Sequence, residues 1–366
     1  MTRITTLSID PDITTAATLD SSFYTDEANF NLARERIFTR SWQWIGSLDD
    51  VKQPASVSPR DILPGLLDEP VILARDNQDQ LRCLSNVCTH RGNILIQAAC
   101  KSQNIRCGYH GRRFDLSGKM MSMPEFGEAK NFPSAMDNLP AVPFASWKNH
   151  GFAAVNPIAP LEEFLAEVSQ RLSWMPIDTF VHDPARDQQF LLNAHWALYV
   201  ENYLEGFHIP FVHPELNSVL DYTNYASEIG RYANLQLAIA KDGEAAFDIP
   251  QGSQDYGKRV AAYYWWVFPN LMLNFYPWGL SLNIIHPEGL DKTRISFRSF
   301  IWDASKLNQG AGSGLDQVEM EDEAVVQSVQ RGVRSRFYKH GRYSPTRERG
   351  THHFHQLICE FMANCQ

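Results

Sequence analysis

Cys88-Thr-His90 and, after sixteen intervening residues, Cys107-Gly-Tyr-His110 decide how this 366-residue chain is read. Each pair supplies one thiolate and one imidazole, and two such loops facing each other offer two sulfurs and two nitrogens to a metal centre. Two kinds of centre use that donor set. One is a [2Fe–2S] cluster with two cysteines on one iron and two histidines on the other, whose neutral imidazoles raise the reduction potential well above that of all-cysteine clusters. The other is a Cys2His2 zinc ion. Zinc ribbons and fingers usually pair cysteine with cysteine, whereas each pair here is mixed, so the spacing favours the cluster. Arg91 and Gly92 follow the first pair and Gly111 the second.

About a hundred residues on stands Glu201-Asn-Tyr-Leu-Glu205-Gly-Phe-His208-Ile-Pro-Phe-Val-His213. The pattern predicts a helix over Trp196–Phe207, with Glu205 and His208 one turn apart on a single face. Pro210 is expected to end or kink that helix and let His213 swing back toward the same point. Two histidines and one carboxylate form the facial triad of non-haem Fe(II) oxygenases, with positions left open for oxygen. A His-x4-His pair alone reads equally well as two satisfied polar residues; its place behind the cysteine–histidine loops gives it weight.

Together and in this order the two motifs resemble the α-subunits of Rieske ring-hydroxylating and related oxygenases, over nearly the whole chain from Trp42 to the His352-His353-Phe354-His355 run. The second loop departs from the usual pattern, with Gly108 in place of Pro and Arg112 in place of Trp. The resemblance implies an α+β fold: an antiparallel β Rieske domain over residues 40–157, and a helix-grip-like catalytic domain with an antiparallel sheet over 1–39 and 158–366. It implies Cys88, His90, Cys107 and His110 as cluster ligands, and His208 and His213 as ligands of a mononuclear Fe(II). The third iron ligand is expected on a long C-terminal helix, where register with Met320-Glu321-Asp322-Glu323 selects Asp322. Glu321 and Glu323 then point about 100° to either side. Glu205 matches the acid that links the mononuclear site to the cluster of a neighbouring subunit, and Asn202 could approach the iron. A homotrimer is implied, with electrons from NADH arriving through a flavin reductase, with or without a ferredoxin.

Within the family, Met320-Glu-Asp322, Ser328-Val-Gln330-Arg-Gly332, Gly341-Arg-Tyr343, the histidine run and Pro269-Asn-Leu-Met-Leu-Asn274 look most like choline monooxygenases and the carnitine and betaine oxygenases. The expected reaction is oxygenation of a small quaternary ammonium or N-methylated compound by O2. The alternative is hydroxylation of an aromatic ring or acid; an electron carrier without an oxygenase site is a third reading. The aromatic stretch Tyr263-Tyr-Trp265-Trp-Val-Phe268 with Phe275-Tyr276-Pro-Trp278 could line a pocket and hold a quaternary ammonium group by cation–π attraction, or could be ordinary core. His352, His353 and His355 read as packing and hydrogen-bonding residues of a terminal helix.

Composition sets the frame. The chain is 44% hydrophobic, 20% charged and 12% aromatic, enough for a large core or two domains. A net charge of −9 disfavours general binding to nucleic acid or anionic membrane. Between Leu81 and Lys119, however, seven basic residues stand against Asp115 alone, a local +6 suited to an acidic electron donor. The polar, Thr-rich Met1–Ser22 lacks the features of a secretory or transit signal, and no stretch approaches a membrane span. Cys83, Cys100, Cys359 and Cys365 are expected as free thiols, and the cytoplasm as the compartment. Short apolar runs from Trp42 to about Asn156 predict β structure, and Asn156-Pro-Ile-Ala-Pro160 a boundary. Beyond it the pattern predicts a helix over Leu161–Leu172, strands over Ala261–Phe268, Leu271–Tyr276 and Arg294–Trp302, a turn at Gly310-Ala-Gly-Ser-Gly314, and helices over Leu315–Tyr338 and Thr351–Met362.

Overall fold

The computed structural model describes residues 7–219, 222, 226–313 and 315–363; Gly314 and Cys365 lie outside them. The chain forms two compact units, one from Thr39–Leu161 and the other from the chain before Thr39 and after Leu161.

The first unit is built from three small antiparallel sheets. Its largest orders the strands Leu81–Ser85, Glu69–Arg75, Ser56–Ile62 and Cys100–Lys101, and the other two join Gln43–Ser47, His150–Ala153 and Phe144–Trp147, and Ile105–Arg106, Arg113–Phe114 and Met120–Ser122. Val71, Ile72, Leu73 and Ala74 are all buried, as a strand covered on both faces requires. Val57, Ile72, Leu84, Ile105 and Phe114 form a core that takes in Cys88 and Cys107, so both cysteine loops are anchored in packed interior.

The second unit is α+β, as expected. Its antiparallel sheet of eight strands runs Val181–His182, Lys292–Ile301, Gly279–Gly289, Leu271–Tyr276, Val260–Val267, Ala233–Ile239 and Ala226–Ile229, with Gln188–Leu192 also paired to Lys292–Ile301. Helix Trp196–Tyr203 packs on helix Leu315–Val333 and against strand Gly279–Gly289, and helix Arg349–Met362 packs against strand Ala226–Ile229. The register aligns Gln236, Tyr264, Asn274, Ser281 and Ser299 as one row across five strands. Residues paired directly across strands share a face, so this face carries polar groups inside the protein. Gln236, Asn274, Ser281 and Ser299 are all buried. Buried polar side chains are the informative departure from an apolar core, and here they mark the functional face.

Several element boundaries differ from expectation. The helix predicted to Phe207 stops at Tyr203, with Leu204 as its cap, so Glu205 and His208 sit in the following turn rather than on one helical face. Pro210 does not end a helix; it stands in the first turn of a new short one, Ile209–Val212, where its missing N–H costs nothing. Leu161–Leu172 divides into Leu161–Phe164 and Ala166–Arg171, Gly310–Gly312 is a 3-10 turn, and the long helix ends at Val333. Strands Ala233–Ile239 and Gly279–Gly289 escaped the sequence reading because both are buried on both faces, which erases alternation.

At one edge of the sheet Arg171 is buried and makes a bidentate pair with Asp255, at 2.5 and 2.8 Å, while also reaching Glu228 at 2.9 Å. Removing one partner of a buried ion pair leaves an uncompensated charge. Asp255→Ala should therefore lower stability by roughly 3 kcal/mol, the low end of the usual range because Glu228 remains, measured as a shift in the urea midpoint.

Candidate metal centres and adjoining recess

The two cysteine loops are built alike. Gly92 N–H donates to Cys88 O at 3.0 Å and Gly111 N–H to Cys107 O at 3.1 Å; Cys88 N–H donates to Asn93 O and Cys107 N–H to Arg112 O, both at 2.8 Å. Each turn closes four residues after its cysteine on a glycine of positive φ, +72° and +76°, a conformation costly for other residues. The His90 and His110 rings meet edge to face at 4.9 Å. Tyr109 N–H points at the Cys107 sulfur at 3.4 Å and Asn93 Nδ2 lies 3.6 Å from it. Burial opposes ionisation of that thiol, yet the Tyr109 and His110 amides hold its pKa below the ordinary value, which favours the thiolate a metal needs. Burial likewise lowers the His90 pKa and keeps the imidazole neutral.

His110 Nδ1 is buried with no hydrogen-bond partner among the described residues, as would suit an atom that holds a metal. Among the described residues, His208, His213 and Asp322 are the one group of three whose donors all lie within 4.8 Å of one another. Cys88, His90, Cys107 and His110 offer the two thiolates and two imidazoles that a cluster of this kind takes. Arg112, unusual at its position, is fully buried. It donates to Thr89 Oγ1 at 2.7 Å and Asp137 Oδ1 at 2.9 Å, with its guanidinium 5.4 Å from the Phe132 ring centroid. One arginine thus ties the two loops together.

In the second unit, Glu205 Oε2 accepts the Phe207 amide and the His208 amide, the latter at 3.1 Å, while Oε1 lies 2.8 Å from His208 Nδ1. Glu321 Oε2 lies 2.7 Å from His213 Nδ1. With both Nδ1 atoms held by carboxylates, the Nε2 atoms turn to a common point: Asp322 Oδ1 is 3.0 Å from His213 Nε2 and 3.5 Å from His208 Nε2. Burial pulls the His213 pKa down, but Asp322 and Glu321 outweigh it and leave it raised. The expectation that Glu321 points away needs correction, since its longer side chain reaches the far nitrogen of His213. Two ties set the register of the Asp322 helix: Gln330 Oε1 accepts from His195 N–H at 2.7 Å, and Tyr199 O–H donates to Glu319 Oε2 at 2.7 Å.

A recess opens on these three side chains. Asn202, Tyr264, Asn274, Tyr276 and Phe297 are among its lining. Of the aromatics singled out from sequence, Tyr264 and Tyr276 line it and Trp278 lines an adjoining cavity. Tyr263 instead donates to Asp255 at 3.2 Å. The terminal histidines form no metal cluster among the described residues: His352 meets Asp10 O at 2.8 Å, His353 meets Asn234 Oδ1 at 2.9 Å, and His355 meets Tyr343 at 2.6 Å. Sequence reading missed Glu319 and set Glu321 aside. Glu319 stands three residues before Asp322, a spacing that shares a helix face and could have revealed it.

A mixed thiolate–imidazole pocket on one unit and an imidazole–carboxylate site beneath a recess on the other define a Rieske-type non-haem iron oxygenase, an oxidoreductase. The chain belongs to the ring-hydroxylating α-subunit family: residues 172–364 match its catalytic domain, and residues 41–133 match the Rieske [2Fe-2S] domain. The family's cofactors are the [2Fe–2S] cluster and a mononuclear non-haem iron. The chain is 30% identical to the chloroplastic choline monooxygenase of Arabidopsis thaliana, over 94% of this chain and 82% of that protein. It is 27% identical to the carnitine monooxygenase oxygenase subunit of Escherichia coli K12, over 94% of each. Among solved structures, a quaternary ammonium Rieske monooxygenase described for carnitine oxidation and inter-subunit electron transfer superposes with a TM-score of 0.75 at 22% identity, over 97% of each chain. That likeness establishes the fold.

Arg112→Ala should lower the unfolding midpoint of the protein by roughly 5 °C or more and bleach the visible absorption of the cluster sooner on heating, followed by parallel circular dichroism and absorbance scans.

Proposed function

We propose that this chain is the oxygenase component of a system that uses O2 and NADH-derived electrons to hydroxylate a small quaternary ammonium or N-methylated substrate of the choline, carnitine or betaine kind. In this reading residues 40–157 are the Rieske domain, with Cys88, His90, Cys107 and His110 as cluster ligands. The remainder is the catalytic domain, with His208, His213 and Asp322 as iron ligands. One observation carries the substrate class. The recess over the three donors is lined by Tyr199, Tyr203, Tyr264, Tyr276 and Phe297, by the carboxylates of Glu205, Glu319 and Asp322, and by no lysine or arginine among its described residues. Such a lining attracts a cation through ring faces and negative charge and gives the carboxylate of an aromatic acid no cationic partner. The named activities of the choline and carnitine relatives agree with it.

The iron would supply the one-electron activation of O2 that a C–H bond beside nitrogen needs. The protein's own share is placement. Glu205 and Glu321 fix the two imidazoles through Nδ1, which leaves Nε2 to face the metal. The aromatic walls hold the ammonium head, and the amides of Asn202, Gln236, Asn274 and Asn283 are placed to bind the polar end of a substrate. The outcome would be an aldehyde hydrate from an alcohol carbon, or a demethylated amine and formaldehyde from an N-methyl group.

Electrons would enter from a flavin reductase, with or without a ferredoxin, through the basic segment around the cluster loops. The reading includes a homotrimer in which Glu205 bridges to the cluster of a neighbouring copy. Tyr109, 57% exposed beside His110, and Phe211, 79% exposed beside the His208 turn, are apolar groups suited to such an interface. Among the described residues no helix is long and apolar enough to cross a membrane. The free thiols outside the cluster loops, Cys83, Cys100 and Cys359, suit the reducing cytoplasm as the compartment.

The test is NADH-coupled oxygen uptake with a generic reductase, offered choline, carnitine, glycine betaine and benzoate in turn. Stoichiometric aldehyde or formaldehyde from a quaternary ammonium compound is the expected result; turnover of benzoate alone would refute the proposal. Glu321→Ala should weaken iron retention at the mononuclear site by roughly 10–100-fold, read by chelator competition, with the cluster's absorption unchanged.

A further inference from the structure

Backbone amides meet both sulfurs of the cysteine loops. Those of His90 and Arg91 serve Cys88, and those of Tyr109 and His110 serve Cys107. Such contacts follow from the turn itself, and any residue but proline could supply them. Cys107 has a side-chain donor as well: Asn93 Nδ2 lies 3.6 Å from its sulfur, reaching across from the first loop to the second.

Asn93 is held in place by its own contacts and by its neighbours. Its backbone carbonyl accepts the Cys88 amide at 2.8 Å, and its Nδ2 also donates to Ile94 O at 2.7 Å. A carbonyl oxygen and a thiolate are both acceptors, so the nitrogen of this side-chain amide, and not its oxygen, faces the sulfur. The segment that follows is clamped by the buried Asn86. Its Oδ1 accepts the Leu95 and Ile96 amides at 3.2 and 2.9 Å, and its Nδ2 donates to Ile96 O at 2.8 Å.

A side-chain donor at a ligating sulfur has a redox consequence. With two thiolates and two neutral imidazoles around a [2Fe–2S] core, the oxidised cluster is uncharged and the reduced cluster carries one negative charge. An N–H aimed at a sulfur gains strength as negative charge builds there, so it stabilises the reduced state more than the oxidised one. Hydrogen bonds to the sulfurs are among the factors that set the potential of such clusters.

We propose that Asn93 raises the reduction potential of the cluster through the N–H···S hydrogen bond from its side chain to Cys107. The inference rests on Cys88, His90, Cys107 and His110 as cluster ligands and goes beyond that assignment, because Asn93 is not a ligand. Its effect falls on the entry of electrons. A higher potential draws an electron more readily from the flavin reductase and leaves less driving force for passing it on. The backbone amides remain in any variant, which makes the contribution of Asn93 separable from theirs.

The test is a dye-mediated redox titration of the iron-loaded holoprotein, followed by the circular dichroism of the cluster, for the wild type, Asn93→Leu and Asn93→Ala. Leucine keeps the shape of asparagine without a donor, and alanine removes its reach. Each variant should disfavour reduction by roughly threefold to tenfold, the size of one ordinary hydrogen bond, a fall of about 28 to 59 mV for a one-electron couple. Acid-labile sulfide should stay at the wild-type content. Electron–nuclear double resonance of the reduced cluster should lose one exchangeable-proton coupling, a change that a merely loosened loop would not make selectively. Should one variant fail to hold the cluster, the other decides. A potential unchanged or raised in a variant that holds the cluster would overturn the role of Asn93 and leave the ligands standing. Loss of the cluster in both variants would overturn it too, since Asn93 would then be a structural residue. A wild-type protein without sulfide would overturn the ligand assignment itself.

Discussion

Asp322 Oδ1, 3.0 Å from His213 Nε2 and 3.5 Å from His208 Nε2, is the point on which the catalytic half depends. Its three side chains come from a turn after one helix, the end of a second short helix, and a long helix more than a hundred residues further along. Four hydrogen-bonded contacts help to hold them together. Glu205 and Glu321 hold the far side of each imidazole, and the Gln330–His195 and Glu319–Tyr199 hydrogen bonds set how the long helix lies on the helix Trp196–Tyr203. Side chains aligned by neighbouring groups in this way keep their mutual geometry, as a preformed metal site would need.

The sheet serves the same end by different means. Its row of Gln236, Tyr264, Asn274, Ser281 and Ser299 puts polar groups where a sandwich core would be apolar. Tyr203, at the end of the helix before the iron turn, donates to Asn274 Oδ1 at 2.5 Å and to Trp265 O at 3.2 Å. The floor of the recess and the start of the ligand turn are therefore one hydrogen-bonded structure. A change in the polar row acts on both the space a substrate sees and the direction in which His208 points.

Much of this was legible in the sequence, and the parts that were not share a cause. The cluster loops could be read because their glycines, cysteines and histidines are obligatory at fixed spacing. The place of Asp322 beside the two histidines follows the register that the resemblance picked out. What escaped was set by tertiary packing: the early end of the helix at Tyr203, the entry of Pro210 into a new turn, and two strands buried on both faces. Glu321 was set aside on helical geometry, which places side-chain roots but not the reach of a glutamate. The aromatic stretch divided by strand parity as expected, but only the register, Tyr264 against Asn274 and Tyr276 against Gly279, decided that Tyr264 and Tyr276 face the recess while Tyr263 serves Asp255.

The most direct measurement is the iron and acid-labile sulfide content of the purified holoprotein and of a His213→Ala variant. The account predicts about three irons and two sulfides per chain, and in the variant loss of about one iron with both sulfides and the cluster's visible spectrum retained. Zinc without sulfide in the native protein, or a variant that loses cluster and mononuclear iron together, would contradict two separate iron centres.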